Sequence, residues 1–264
     1  MCLAIVALNA HPRYPLVIAA NRDEYHARAA DAAQWWPDGI LAGRDRVGGG
    51  TWFGITRHGR WSLVTNFREG IPRDPRAPSR GALVMQALRA TEEPLAHAAQ
   101  IAVDGQRFHG FNLLVGDSAT AAYASNRSSG GVALDAGIHG LSNHLLNTPW
   151  PKLLRGKARL HEALQQDGDL VVAAFELLAD RAAAPLAALP ATGVSAEWER
   201  ILSPVFIVTD DYGTRCSTVL IVDNAGGVRF VERSFDPRGN LNGEVAQAFT
   251  LAASRPPSAM ATAR

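Results

Sequence analysis

The chain has 264 residues, 47% hydrophobic and 19% charged, an ordinary globular composition with ample length for a sizeable core. A formal net charge of +1 gives no broad basic field, so electrostatics offer no grounds for a nucleic-acid or anionic-membrane partner. No apolar stretch approaches the ~18 residues of a membrane span. The N-terminal run at 3–8 has no basic flank and breaks at Asn9-Ala10-His11-Pro12, so it is not an export signal; a cytoplasmic location is expected.

In chain order, short β-like runs come first, at 2–8, 16–20, 52–56 and 61–65. Two helical patterns follow. One starts after Ser79 as N-cap with Leu83, Val84, Ala87 and Leu88 on one face; the other starts at Pro94. Strand-like runs return at 111–115, 119–124, 131–134 and 138–142. Pro151, tolerated in a first turn, opens a helix striped by Leu153, Leu154, Leu160 and Leu164. Asp169 caps a further helix carrying Leu170, Val171, Ala174, Phe175 and Leu178. Strands are expected again at 204–209, 218–222 and 228–233. Residues 68–80 read as a surface loop and 253–264 as a disordered tail, leaving one domain over 1–252.

Strands, two helices, strands, two helices, strands is not the strict alternation of a doubly wound sheet. The order suits two antiparallel sheets stacked face to face, each covered on its outer side by a helix pair.

The first two runs are separated by turn residues 9–15 and should form an antiparallel hairpin. With the turn centred near Pro12, facing residues have numbers summing to about 24, which sets Cys2 against Arg22 in the cluster Asn21-Arg22-Asp23-Glu24. A guanidinium favours the thiolate, the nucleophilic form of cysteine. Removal of the initiator methionine before this residue makes Cys2 the chain terminus, and its α-amine then serves as general base at neutral pH. Asp23 or Glu24 would hold that ammonium or steer Arg22. Neighbouring strand residues point to opposite faces, so one of Arg22 and Asp23 reaches the thiol, and the sequence leaves open which.

Other candidates are weaker. Gly48-Gly49-Gly50-Thr51-Trp52 lacks the Gly-Lys-Ser/Thr of a phosphate loop and reads as a tight turn, with Trp52 lining a pocket. Trp35-Trp36-Pro37 is either core or an exposed apolar lip. The eight histidines make no zinc-ligand pattern, and no metal is expected; His26 and His144 lie nearest the expected pocket. Two cysteines are too few for a disulfide framework, and Cys216 is expected as a structural thiol.

Six motifs in order, MCLAIV, ANRDEY, GGTWFGI, LVTNFRE, LSNHLLNTPWPK and YGTRCSTVLIVD, resemble the NRDE family, also called the transport and Golgi organisation family. They run from residue 1 to Asp223. The resemblance implies the four-layer αββα sandwich of N-terminal nucleophile hydrolases, more distantly similar to choloylglycine and penicillin-V amidases. Carried over by motif, Cys2 would be nucleophile and base together, with Arg22 and Asp23 positioning it. Asn66 and Asn143 would offer side-chain amides to an oxyanion, and Arg215 would orient Cys2 or stabilise charge. Asn21, Glu24 and Trp52 would line the substrate pocket. The expected activity is hydrolysis of a small non-peptide amide through a Cys2 thioester, without a cofactor. The rival expectation is a non-catalytic protein that binds or carries haem or an acyl lipid in the same cleft, with His26 or His144 as haem ligand.

Overall fold

The computed structural model describes residues 2–70, 74 and 76–252. Its elements run β1 (Cys2–Leu8), β2 (Leu16–Tyr25), β3 (Ala30–Trp35), β4 (Ile40–Asp45), β5 (Phe53–Thr56), β6 (Trp61–Asn66), α1 (Gly81–Arg89) and α2 (Pro94–Asp104). There follow β7 (Phe111–Gly116), β8 (Ala121–Ser125), β9 (Gly131–Ala133), β10 (Gly137–Leu141), α3 (Pro151–Gln165), α4 (Leu170–Leu178) and α5 (Ala196–Ile201). The described chain closes with β11 (Tyr212–Val222), β12 (Gly227–Phe235) and β13 (Leu241–Thr250).

The opening hairpin has the register its turn implies: Cys2 faces Arg22, Ala4 faces Ala20 and Leu8 faces Leu16. Asn9 turns the chain at φ 48°, a left-handed conformation that asparagine tolerates better than most residues. Its N–H donates to the Pro15 carbonyl at 2.8 Å. Around this hairpin grows an antiparallel sheet of order β10-β1-β2-β11-β12-β13. The second sheet, β3 through β9 in sequence order, is an antiparallel meander.

Side-chain alternation builds the layers. Cys2, Ala4, Val6 and Leu8 project between the sheets, where they meet Leu41, Phe53, Trp61, Leu63 and Leu114. Leu3, Ile5 and Ala7 project the other way, onto Leu153, Leu160, Phe175 and Leu178 of α3 and α4. Both faces of β1 are buried, so its sequence is a continuous apolar run. Helices α1 and α2 cover the second sheet, giving four layers, αββα. Gly156 lets α3 approach closely, since a Cβ there would stand 3.0 Å from Ile5 Cδ1. Each fully buried Leu or Ile contributes roughly 1.5–3 kcal/mol.

Some elements differ from expectation. Ser79 does not cap α1; Arg80 holds the cap position and no side chain bonds the helix start. Asp169 does cap α4, accepting the Val171 N–H at 2.9 Å. Segment 204–209 is irregular apart from one bridge, Val208 to Gly213. Its backbone groups bond elsewhere: the Val205 carbonyl to Asn21 Nδ2, the Phe206 N–H to the Asp180 carbonyl, the Ile207 N–H to Thr214 Oγ1. The expected tail at 253–264 and residues 71–73 and 75 of the expected loop lie outside the described residues.

Candidate active site

Cys2 begins the described part of β1, 7% exposed, and borders a cleft of about 70 Å³ with Arg22, Asp23, Glu24, Trp52, Asn66 and Arg80. Direct cross-strand pairing puts Arg22 on the same face as the thiol. The Arg22 guanidinium also bonds Asp45 of the second sheet, Nη2 to Oδ2 at 3.4 Å, and Arg28 Nε holds that same oxygen at 2.7 Å. The glycine turn has its use here. The N–H groups of Val47 and Gly48 donate to Asp45 Oδ1 at 2.9 Å, which leaves Oδ2 aimed at the two arginines.

Asp23 turns its carboxylate to the other face of the strand. There it accepts the Thr214 hydroxyl at 2.7 Å, while its backbone N–H donates to the Cys2 sulfur. Burial pushes the Asp23 carboxyl up, against the pull of Lys152, the Thr214 bond and Arg22. The choice that the sequence left open thus resolves by function group: Arg22 meets the thiol by its side chain, Asp23 by its backbone.

Burial also decides the state of the sulfur. It raises the Cys2 pKa, and Arg22 and the Asp23 N–H only partly offset it; the Asp23 carboxylate adds to the rise. The guanidinium expected to favour the thiolate is outweighed by burial. The resting group is a thiol, and activating it requires a base.

Glu24 lines the Cys2 cleft and lies 3.7 Å from Arg28. Burial raises its carboxyl, but its positive surroundings, the Tyr25 N–H, Arg22 and Arg28 among them, hold it below the usual range. Trp52 stands against Phe53 edge-on, ring centres 5.7 Å apart, as one wall. Asn66 ends β6 at the cleft rim.

Three expected site residues sit elsewhere. Asn21 is fully buried on the helix side, its Nδ2 donating to the carbonyls of Leu178 and Val205 and its Oδ1 accepting the Ser217 hydroxyl. Asn143 donates its Nδ2 to the Asn66 carbonyl at 3.1 Å and accepts the Ser142 hydroxyl, tying the two sheets together beside the cleft rather than lining it. Arg215 Nη1 donates to the carbonyls of Tyr25, His26 and Arg28, clamping the turn after β2. A bulge between Thr214 and Cys216 brings Cys216, not Arg215, across from Arg22.

Cys216 therefore flanks Arg22 opposite Cys2. It borders a separate cavity of about 170 Å³ with Glu232, Arg215 and Arg22. Two strand spacings part the two cysteines, about 9–10 Å, too far for a disulfide. Burial and Glu232 drive the Cys216 thiol well up, so it persists as a neutral donor to that carboxylate.

Neither haem candidate borders these spaces. His26 Nε2 bonds the Thr209 carbonyl at 3.0 Å, and His144 Nδ1 bonds Thr148 Oγ1 at 2.9 Å. His109 instead lies on the wall of a groove of about 390 Å³. That groove shares Glu24, Asn66 and Arg80 with the Cys2 cleft and continues to Phe67, Trp198 and Tyr212. Its size falls in the range of small-molecule sites.

Sequence reasoning missed Lys152, Arg68 and Glu199. Arg68 bonds Glu199 in a buried ion pair and stacks 4.8 Å from the Trp150 ring centre. Lys152 is 2% exposed, and it stands on the stripe of Gly156, Leu160 and Leu164, four residues apart. A lysine in phase with a buried stripe was the available signal.

A four-layer αββα sandwich that delivers the cysteine at position 2 to a polar cleft between its sheets defines the structural class. The sequence model for Transport and Golgi organisation 2 matches residues 1–237, and the chain belongs to that family. It is 38% identical over 260 residues to the Transport and Golgi organization protein 2 homolog of Bos taurus, covering 89% of this chain and 93% of the relative. The Homo sapiens homolog is 33% identical over 261 residues, with the same coverage. Among solved structures, a mutant conjugated bile acid hydrolase from Clostridium perfringens is similar at TM-score 0.43 and 10% identity, over 97% of this chain and 99% of that one. An N-acylethanolamine-hydrolyzing acid amidase ortholog from Caenorhabditis elegans gives TM-score 0.42 at 12% identity, over 83% and 92% of the two chains.

Proposed function

We propose that this protein is an amidohydrolase whose nucleophile is the Cys2 sulfur, freed as the chain terminus by loss of Met1. The observation that supports it most is the placement of a buried thiol at a cleft, with Arg22 directly across and the Asp23 N–H on the sulfur. An inert structural cysteine in an apolar strand needs none of these.

In this reading the α-amine of Cys2 takes the thiol proton and the sulfur electron pair adds to the amide carbonyl carbon. The oxyanion so formed is met by the Asn66 side-chain amide and the cationic wall of Arg22 and Arg80. Collapse breaks the C–N bond, with the ammonium proton passing to the departing amine and the acyl group left as a thioester. Water, deprotonated by the amine, then cleaves the thioester to carboxylic acid and thiol. No cofactor enters this sequence.

Intact mass tests the first condition, and retention of Met1 in the native host would end the hydrolase reading. Turnover on a panel of small amides, lost in Cys2→Ala with the fold intact, tests the second.

The apolar side of the adjoining groove supports a second reading, non-catalytic binding of haem or an acyl lipid. Under it, haem titration followed in the Soret band saturates near one equivalent and weakens on His109→Ala; a non-saturating titration removes it.

A further inference from the structure

The connection from α4 to β11, residues 179–211, has as regular structure only α5, a three-residue helical turn at Leu186–Ala188 and the bridge at Val208. Connections longer than about 12–15 residues are uncommon in a compact domain and usually serve a site. This one runs beside the groove that adjoins the Cys2 cleft. Its Val194, Trp198 and Leu202 line that groove together with Tyr25 and Tyr212.

Polar bonds hold the connection in place. Helix α5 turns Glu199 inward, where it meets Arg68 and the Thr192 N–H and hydroxyl. Lys152 Nζ donates to the Leu202 carbonyl at 2.9 Å, and the Ala184 N–H donates to Ser203 Oγ at 2.9 Å. At Gly193 the chain passes so close to residue 70 that a Cβ on Gly70 would stand 2.5 Å from the Gly193 carbonyl oxygen. A helix of six residues is not stable alone, so these bonds decide where its side chains lie. A buried ion pair parted at one end leaves an uncompensated charge, and the pair therefore resists sliding.

Trp198 precedes the pinned Glu199 by one position and so projects about 100° round the helix from it. It borders the groove with 37% of its surface open. Its ring stands edge-on to Tyr212, centres 6.2 Å apart, and Tyr212 stands edge-on to Tyr25 at 5.2 Å. The three rings form one aromatic row, and an open apolar row beside a polar cleft marks a ligand surface. Among the charged groups of the groove, Glu24 and Arg80 belong also to the Cys2 cleft, while Arg68 and Glu69 are engaged by Glu199 and Arg127. We propose that Trp198 determines specificity at the Cys2 site: an apolar substituent of the substrate lies along the row, and the indole sets the largest one admitted. This rests on the reading of Cys2 as the reactive group. The occupant is the non-reacting part of the substrate, because the groove and the cleft share Glu24, Asn66 and Arg80.

The test alkylates Cys2 in the full chain with iodoacetamide and with its N-ethyl, N-benzyl and N-naphthylmethyl derivatives. Peptide mass separates labelling at Cys2 from labelling at Cys216, the other cysteine. Each rate is divided by that of iodoacetamide, which cancels changes in thiol ionisation because all probes meet the same sulfur. Trp198→Ala should raise the ratio for the naphthylmethyl probe by about tenfold, the scale on which apolar pockets discriminate size. Leu186→Ala, on the same connection but outside the groove, should leave it unmoved. An unchanged ratio in folded Trp198→Ala overturns the proposal, as does an equal rise in Leu186→Ala. Failure of every probe to label Cys2 in the native fold also overturns it, since the groove would not then lead to the sulfur. Should Trp198→Ala not fold, Trp198→Phe takes its place with a smaller rise, read in the same way. Alkylation needs no turnover, so the two readings fail separately. The expected rise in a protein that cleaves no amide would remove the hydrolase reading and leave Trp198 as the limit on what reaches Cys2.

Discussion

At the scale of single residues, the site is a contest between burial and charge, and burial wins at the thiol. The same contest makes Lys152 measurable through stability. Its folded pKa of about 8 lies below the ordinary 10.5, so between those values the unfolded chain binds the extra proton. Stability from this group is full above the upper value and lost as pH falls toward the lower one. Urea unfolding should therefore show the wild type gaining on Lys152→Met from pH 8 to pH 10, by at most about 1.4 kcal/mol per pH unit. A constant gap between the two proteins would mean that Lys152 titrates normally. Lys152 was legible as a polar residue in phase with a leucine stripe, but its charge partners arrive from four other segments, and no local pattern announces them.

At the scale of elements, the opening turn and the Asp169 cap were the readable features, whereas the cap expected at Ser79 is absent. Residues 9–15 contain enough information to set the hairpin register, because a short antiparallel turn leaves little freedom in which residues face each other. Asp169 is the capping residue that α4 uses, so Asp169→Ala should cost about 1 kcal/mol and lower the melting temperature by ~2–4 °C, read by calorimetry. Its exposed pairing with Arg229 adds little. The strands that escaped notice, β3, β4 and β13, are alanine- or glycine-bearing, and β3 and β13 lie at sheet edges where half the face is solvated. The reverse error came at 204–209, an apolar run that looks like a strand. Its backbone is satisfied by Asn21, Asp180 and Thr214 instead of a ladder.

At the scale of the whole molecule, the two sheets are joined by apolar packing in the middle and by polar links toward the Cys2 end. Glu232 of β12 accepts the Ala33 N–H of β3 at 2.7 Å, crossing between sheets; Arg22 to Asp45 and Asn143 to Asn66 do the same. Glu232→Ala would leave a buried N–H unpaired and should cost about 1–3 kcal/mol in urea unfolding, whereas Glu232→Gln keeps the acceptor and should cost less. Equal losses in the two variants would show that the link is not held by that bond. These crossings also fix the cleft, since its walls come from β1 and β2 on one sheet and from Asp45 of β4, Thr51, Trp52 and β6 on the other.

Unaided, the sequence determined the hairpin, the pairing of Cys2 with Arg22, the alternation of strand blocks with helix pairs, and the family. All of these are written in spacing, turn residues and contiguous motifs within short stretches of chain. Tertiary structure alone decided that Asp23 meets the sulfur through its backbone, that a bulge withdraws Arg215 and substitutes Cys216, that Asn143 becomes a brace, and that Lys152 enters the Asp23 field. Those outcomes depend on where separate layers come to rest and on how completely they exclude water, and neither quantity belongs to any one segment.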